Sequence, residues 1–212
     1  MLEIKCFEFG PFGTNTYVVN DGQHVLIVDP ACYVQYEQQQ LYRYVEEVSN
    51  QLSVISNQLS AVSVQILATH GHLDHLWGAP WACEQWHTQV LIHEADIPLA
   101  KAMQEQYDLF GIRMQAKPFP VKGLEGRGMG LAGVEIMETP GHTPGSICLY
   151  WKEEKTLLSG DTLFCMGYGR TDLPGGDMGQ LFCSLESLFA LPGDVRVYPG
   201  HGEDTTIGAE KR

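Results

Sequence analysis

No stretch of the 212-residue chain runs for about 18 apolar residues without interruption, which leaves no hydrophobic helix long enough to span a bilayer. The opening Met1-Leu2-Glu3-Ile4-Lys5-Cys6 lacks the basic-then-apolar order of a secretory leader. Paired cysteines are missing too. The six cysteines stand singly at 6, 32, 83, 148, 165 and 183, with no Cys-x-x-Cys, in a chain long enough not to need disulfide staples. Reduced thiols packed as small apolar residues are expected. Positive charge is scarce as well: 13 Lys and Arg face 26 Asp and Glu, for a net charge of −13. Such a surface repels a phosphate backbone, so RNA and DNA are not expected as partners. These absences together predict a cytoplasmic protein without a membrane or nucleic-acid partner; they leave its oligomeric state open.

What is present is a core. With 44% hydrophobic residues, the chain can bury one sizeable interior, and a single domain over 1–212 is expected. Short strands are predicted at 2–9, 16–20 and 24–28, with Asn20-Asp21-Gly22 as a two-residue hairpin signal. Val45, Val48, Leu52, Ile55, Leu59 and Val62 recur at alternating spacings of three and four, which predicts an amphipathic helix over about 34–60. Ser-Asn-Gln-Leu-Ser occurs twice in it, at 49–53 and 56–60, a heptad apart. Two heptads are too few for a coiled coil. Val64 to Ala68 is a continuous apolar run, the mark of a strand covered on both faces. A helix to about 87, a strand near 89–93, a helix near 95–107 and a Gly- and Pro-rich connection over 111–130 follow. The second half repeats the plan, with strands near 133–138, 146–151, 156–160 and 194–198 and a helix near 178–190. Strands flanked by helices in both halves predict two packed sheets with helices outside, an α/β arrangement.

The strongest chemical signal is Thr69-His70-Gly71-His72-Leu73-Asp74-His75, at the end of the buried strand. A random chain of this composition would show His-x-His-x-Asp-His about 5 times in 10,000. Imidazole nitrogens and carboxylate oxygens suit zinc, iron or manganese. In an extended loop His70 and His72 point the same way, while Asp74 and His75 turn to a neighbouring position as a helix begins. One segment can thereby serve two adjacent cations. Three isolated candidates complete such a site, each at the end of a predicted strand beside glycine: His142 in Pro140-Gly141-His142, Asp161 in Gly160-Asp161-Thr162, and His201 in Gly200-His201-Gly202. His24, His87 and His93 lack that setting and are read as ordinary surface or core residues. Thr69, Thr139 and Thr143 are available either to bond ligands or to cap helices.

On these motifs, in this order along the whole chain, the sequence resembles the metallo-β-lactamase superfamily, and within it the glyoxalase II-like (hydroxyacylglutathione hydrolase-like) hydrolases. The resemblance implies an αββα sandwich. It also implies that His70, His72 and His142 hold one metal and that Asp74, His75 and His201 hold a second. Asp161 would bridge the two, with a water or hydroxide between them and the aspartate of position 29 beneath the site. Asp74 and Asp161 are then the catalytic carboxylates. The cofactors implied are two divalent ions, zinc first, with iron or manganese as alternatives. A pair of such ions brings a shared water to a pKa near 7. The hydroxide attacks a carbonyl, and a thioester's thiolate departs without an acid where an amide nitrogen would need one.

A small-molecule thioester or ester, a glutathione thioester among them, is the substrate that follows from the resemblance. The loop Met166 to Asp177 is similar to the one lining the glyoxalase II-like cleft, with Tyr168 and Arg170 as substrate contacts. Arg170 is positioned either to pair with a carboxylate or to brace its loop through Asp172 or Asp177. Two departures stand out: Asp172 occupies the place of a substrate-contacting tyrosine, and with the chain ending at Arg212 the C-terminal helical domain of authentic glyoxalase II is expected to be absent. Two other readings are open. One is a single-iron persulfide dioxygenase, which shares these positions. The other is a metal-binding module without turnover that interacts through the 34–60 helix.

Overall fold

The computed structural model describes residues 2–56, 62–124 and 133–211. One sheet holds six strands in sequence order: β1 (Glu3–Phe9), β2 (Thr14–Asn20), β3 (Val25–Val28), β4 (Val64–Leu67), β5 (Val90–Ile92) and β6 (Val121–Gly123). The first three are antiparallel, and from β3 to β6 the pairing is parallel. The second sheet is built from β7 (Val134–Glu138), β8 (Ile147–Trp151), β9 (Thr156–Gly160), β12 (Arg196–Pro199) and β13 (Thr205–Thr206), ordered β13-β12-β9-β8-β7. Between β9 and β12 lies a small hairpin of β10 (Leu163–Phe164) and β11 (Gly167–Tyr168). Helices α1 (Gln35–Ser56), α2 (Leu73–Leu76), α3 (Ala79–Trp86), α4 (Ile97–Lys101) and α5 (Met103–Leu109) belong to the first half, and α6 (Met178–Phe189) and α7 (Ile207–Glu210) to the second.

Alternation along the strands explains the layering, because successive side chains on a strand face opposite sides of its sheet. In β3, Val25 and Ile27 join Leu41, Val45, Val48 and Leu52 of α1 in an outer core. Leu26 and Val28 face the other way and meet Ile147, Leu149 and Trp151 of β8 between the sheets. Cys148 and Tyr150 of β8 face outward, onto Leu181, Leu185 and Leu188 of α6. Helices, sheet, sheet, helices: the αββα sandwich follows from this two-sided burial.

Several elements differ in detail from the sequence expectation. The helix predicted over 34–60 is α1 as far as Ser56, Val62 lies outside it, and residues 57–60 of the second Ser-Asn-Gln-Leu-Ser copy lie outside the described residues. The hairpin between β2 and β3 uses a longer connection than two residues, because the Asp21 carboxylate accepts the amides of Gln23 and His24 at 2.8 and 2.7 Å. The helix after the His-rich motif breaks at Gly78, whose amide donates to Pro30 O at 2.7 Å. A Cβ there would stand 2.2 Å from Cys32 Sγ, so only glycine permits the approach. The predicted 95–107 helix is a short 3₁₀ turn followed by α4 and α5. It kinks at Ala102, where the Leu99 carbonyl also accepts Gln106 Nε2 at 2.9 Å. The connection over 111–130 contains β6, and its residues 125–130 lie outside the described residues. Among the described residues, no helix is long and apolar enough to cross a membrane.

Trp151 is fully buried between the sheets. Replacing it with alanine is expected to cost about 3–5 kcal/mol, the scale for emptying a large aromatic site. Urea unfolding of W151A followed by circular dichroism checks this; a midpoint equal to the wild type's would show that the inter-sheet layer does not hold the sandwich together.

Candidate metal centre

The site forms where strand ends from both sheets come together. The chain leaves β4 at Thr69, whose carbonyl accepts the Ile147 amide from the other sheet at 3.0 Å. His72 is extended and opens α2, so His70 and His72 project from the loop while Asp74 and His75 ride the first helical turn. Asp161 follows β9, His201 follows β12, and His142 lies in the turn between β7 and β8. Parallel pairing of β9 with β12 sets the last two side by side, and Gly200 N donates to Gly160 O at 2.8 Å. A Cβ on Gly200 would sit 2.1 Å from Asp161 Oδ1, which is why that position must be glycine.

All seven residues predicted as ligands converge. His72 Nδ1 lies 2.8 Å from His142 Nε2. His75 Nε2 is 3.3 Å from His201 Nε2 and 3.5 Å from Asp74 Oδ2, and His201 Nε2 is 3.2 Å from that same oxygen. Asp161 stands between the two sets, with Oδ2 at 3.5 Å from both His142 Nε2 and His201 Nε2 and Oδ1 at 3.3 Å from His75 Nε2. Three groups have donor atoms close enough to share a cation: His70 with His72 and His142, His70 with His75 and Asp161, and Asp74 with His75 and His201.

The far nitrogens of four rings are tied down, which fixes the aim of the near ones. His75 Nδ1 meets Asp29 Oδ2 at 2.9 Å, His142 Nδ1 meets Arg170 O at 2.6 Å, and His70 Nδ1 meets Thr69 Oγ1 at 3.0 Å. His201 Nδ1 lies 3.2 Å from Phe12 O. Asp29 also accepts Thr69 N and Thr69 Oγ1, both at 2.7 Å. It adopts a left-handed φ of 54°, a conformation that aspartate tolerates better than most residues.

The chemistry of this donor set fits cations. Burial, reinforced by the neighbouring imidazoles, pushes the His70 pKa well down, and burial with His142 takes His72 to about 3. Burial also lowers His142, against the pull of Asp161. These three rings are therefore neutral; one proton can be shared between His72 Nδ1 and His142 Nε2, but none is left for His70 Nε2. On the other side the carboxylates dominate. Burial opposes charge on His75, but Asp74, Asp161 and Asp29 overcome it and raise its pKa well above the ordinary value. Burial likewise opposes charge on Asp74 and Asp161, yet the imidazoles, His75 foremost, hold both below the usual carboxylate range. Two buried atoms of the site, His70 Nε2 and Asp161 Oδ1, have no hydrogen-bond partner. Unpartnered donors of this kind, in a pocket rich in carboxylates, are what divalent ions require.

Sequence reasoning missed four supporting residues. Asp96 is fully buried and accepts Gly71 N at 2.8 Å, Thr143 Oγ1 at 2.6 Å and Gly145 N at 2.7 Å. It thereby ties the His70–His72 loop to the His142 loop. Gln106 clamps the same segment, accepting from Leu73 N and donating to Gly71 O. Thr14 Oγ1 donates to Asp74 Oδ2 at 2.9 Å, and Asn15 Nδ2 donates to the carbonyls of Pro199 and Gly202 beside His201. Unlike Asp29 and Asp161, which directly follow strands, Asp96 ends the 3₁₀ turn after β5, so no strand-end cue marked it. Thr69, Thr139 and Thr143 all bond inward, Thr139 Oγ1 meeting Thr162 Oγ1 at 2.8 Å. His24 and His93 serve local turns, and His87 ends α3.

A cavity of about 200 Å³ opens above the cluster, walled by Phe12, Leu73, Phe110, Arg170 and Leu173. Arg170 reaches this cleft, but its guanidinium is held in a two-bond pair with Asp172, Nε to Oδ1 and Nη2 to Oδ2, both at 2.6 Å. Tyr168, expected beside it, is not brought to the cleft. β11 turns it the other way, and its ring meets Phe182 of α6 at 5.9 Å between centroids, shielding apolar surface there.

Removing the Asp96 carboxylate leaves the buried amides of Gly71 and Gly145 without an acceptor and frees the Thr143 hydroxyl from one of its two partners. D96A is expected to weaken metal binding by about 10–100-fold, with D96N recovering part of the loss. Competition with a chromophoric chelator measures this, and an unchanged affinity would show that the two ligand loops hold their places without Asp96.

Known proteins share this architecture. The Metallo-beta-lactamase superfamily profile matches residues 9–201. The chain is 35% identical over 220 residues to hydroxyacylglutathione hydrolase GloC of Haemophilus influenzae, covering 100% of this chain and 96% of that one. Among solved structures it is similar to TTHA1623 in a di-iron-bound form, with TM-score 0.82, 33% identity and coverage of 98% and 97%. It is also similar to the BLEG-1 B3 metallo-beta-lactamase, with TM-score 0.79, 29% identity and coverage of 98% and 96%. A profile match over most of the chain, full-length kinship and a shared fold place this protein in the metallo-beta-lactamase superfamily, a group of metallo-hydrolases.

Proposed function

We propose that the protein is a two-metal hydrolase of small thioester or ester substrates. The observation that carries this reading is the pair of donor sets, His70/His72/His142 and Asp74/His75/His201, meeting at the Asp161 carboxylate. Divalent ions, when bound, supply Lewis acidity that acidifies water to near neutral pH and stabilises negative charge developing on a carbonyl oxygen. Zinc is the expected metal. The di-iron-bound form of the similar TTHA1623 supports iron as the alternative.

The protein's own residues do the rest. Thr14 fixes one Asp74 oxygen, so the carboxylate keeps a single orientation toward the cleft. Asp29 and the Arg170 carbonyl hold the rings of His75 and His142. Phe12, Phe110 and Leu173 give the cleft apolar walls beside the ligand cluster. Among the described residues, no side-chain acid besides Asp74 and Asp161 lines the cleft, which suits a thiolate or alkoxide leaving group better than an amine. Similarity to the hydroxyacylglutathione hydrolase of Haemophilus influenzae adds weight to a thioester as the class of substrate. A module that interacts through α1 is less favoured, because α1 already buries Leu41, Val45, Val48 and Leu52 against the sheet.

Purified protein is expected to hold two metal equivalents by elemental analysis and to cleave an acyl thioester. A chelator should abolish turnover and added zinc restore it. H142A is expected to lose more than about a hundredfold in kcat/KM, the scale for a group that stabilises the transition state. One iron per chain with persulfide-dependent oxygen uptake would replace this reading with an oxygenase, and bound metal with neither activity would replace it with a binding module.

A further inference from the structure

A second cavity, about 150 Å³, adjoins the metal cleft and shares His72, Gln106, Phe110 and Leu173 with it. Its walls are Leu99, Ala102, Leu109 and Phe110 from the kinked α4–α5 segment, and Leu173 and Pro174 from the loop before α6. A cavity of this size lined by leucine and phenylalanine accommodates a benzene ring. The polar groups at its edge offer nothing to a charged ligand. Both ends of the Gln106 amide are spent on backbone, Oε1 on Leu73 N and Nε2 on Gly71 O and Leu99 O. His72 directs Nδ1 at the metal ligands. Glu105 carries negative charge at the rim. The cation lining the adjoining cleft, Arg170, is engaged by Asp172 in a two-bond pair. The rim itself is apolar and open: Phe12 is 46% exposed, Phe110 41% and Leu109 60%, and Phe12 and Phe110 lie 6.0 Å apart between ring centroids.

Resting on the hydrolase reading above, we propose that the substrate carries a compact, uncharged apolar group beside the scissile bond, a phenyl ring or a chain of about five or six carbons, seated between α4–α5 and Leu173-Pro174. Carboxylate-bearing groups, those of glutathione included, find no unpaired cation among the residues lining either cavity. Burial of the apolar group stabilises the complex, and the paired Arg170 with Glu105 nearby makes a carboxylate at the same place unfavourable.

The test is a kinetic panel on the metal-loaded full chain. In one arm the thiol is N-acetylcysteamine and the acyl group is acetyl, hexanoyl, phenylacetyl or succinyl. In the other the acyl group is acetyl and the thiol is N-acetylcysteamine, hexanethiol or glutathione. In at least one arm the apolar member is expected to exceed its acetyl-N-acetylcysteamine reference by about tenfold or more in kcat/KM, with succinyl and glutathione members at or below it. The arm that responds tells whether the group is on the acyl or the thiol side. A102L, which fills the cavity, should bring that ratio down to near one. L109K, on the exposed rim, should lower it and raise turnover of the charged members. Metal-dependent cleavage of the acetyl reference with no apolar preference in either arm, or with a preference for glutathione or succinyl, overturns the inference and leaves the hydrolase reading intact. A ratio unmoved in both variants overturns it too. No cleavage anywhere in the panel by protein holding two metals overturns the hydrolase reading itself.

Discussion

A single buried carboxylate, Asp29, ties the end of one strand to the ligands that leave another. It accepts the Thr69 amide and hydroxyl and the His75 ring N–H, three bonds that share out one negative charge. Sequestering a carboxylate is costly unless its lone pairs are filled, and a half-filled network is worse than none. The arrangement is therefore close to all or nothing. With Asp29 in place, β3 and β4 end in register, the His70–His75 segment has one conformation, and the imidazole of His75 faces Asp74, Asp161 and His201. Asp96 performs the parallel task on the other flank, where it gathers Gly71, Thr143 and Gly145. Two acids outside the predicted ligand set thus fix the aim of the residues within it.

Much of this was legible in the sequence, for physical reasons that differ from part to part. The His70–His75 motif could be read because so dense a run of imidazole and carboxylate has little structural use apart from a metal. His142, Asp161 and His201 could be read because each follows a strand and sits beside glycine, where a backbone comes close enough to leave room for a shared ion. Two packed sheets with outer helices were legible from strands flanked by helices in both halves, and the αββα sandwich from the family resemblance; the two-sided burial of β8, with Leu149 and Trp151 inward and Cys148 and Tyr150 outward, emerged only from the structure. What escaped was mostly relational. Asp96 and Gln106 bond to backbone atoms 25 and 35 residues away, and nothing local to either announces it. The kink at Ala102 escaped for the same reason, since its cause is a side chain of the following turn. Arg170 could be read either way from its neighbours, and the bidentate contact with Asp172 favours the structural role.

The electrostatics of the cleft follow from the same economy of cations noted in the composition. A net charge of −13 is tolerable on a surface where acids face water, but the cluster concentrates Asp29, Asp74 and Asp161 around one imidazole. The same carboxylates raise the proton affinity of His75 and His201, which counters part of that charge. Divalent ions do so more completely and release the protons. The neighbouring walls, by contrast, are apolar and carry no spare positive charge among the described residues, so attraction at the mouth depends on shape and on the metals.

The pairing of β9 with β12 reaches across a long stretch of chain to bring His201 beside Asp161. A ligand cage closed by so late a segment cannot exist in a partly formed sandwich. Ions held by this cage would therefore favour the finished fold over earlier states, stabilising it in proportion to the logarithm of their concentration. On the two-metal reading, loss of the ions would remove that stabilisation, so the persistence of the folded chain would depend on metal supply.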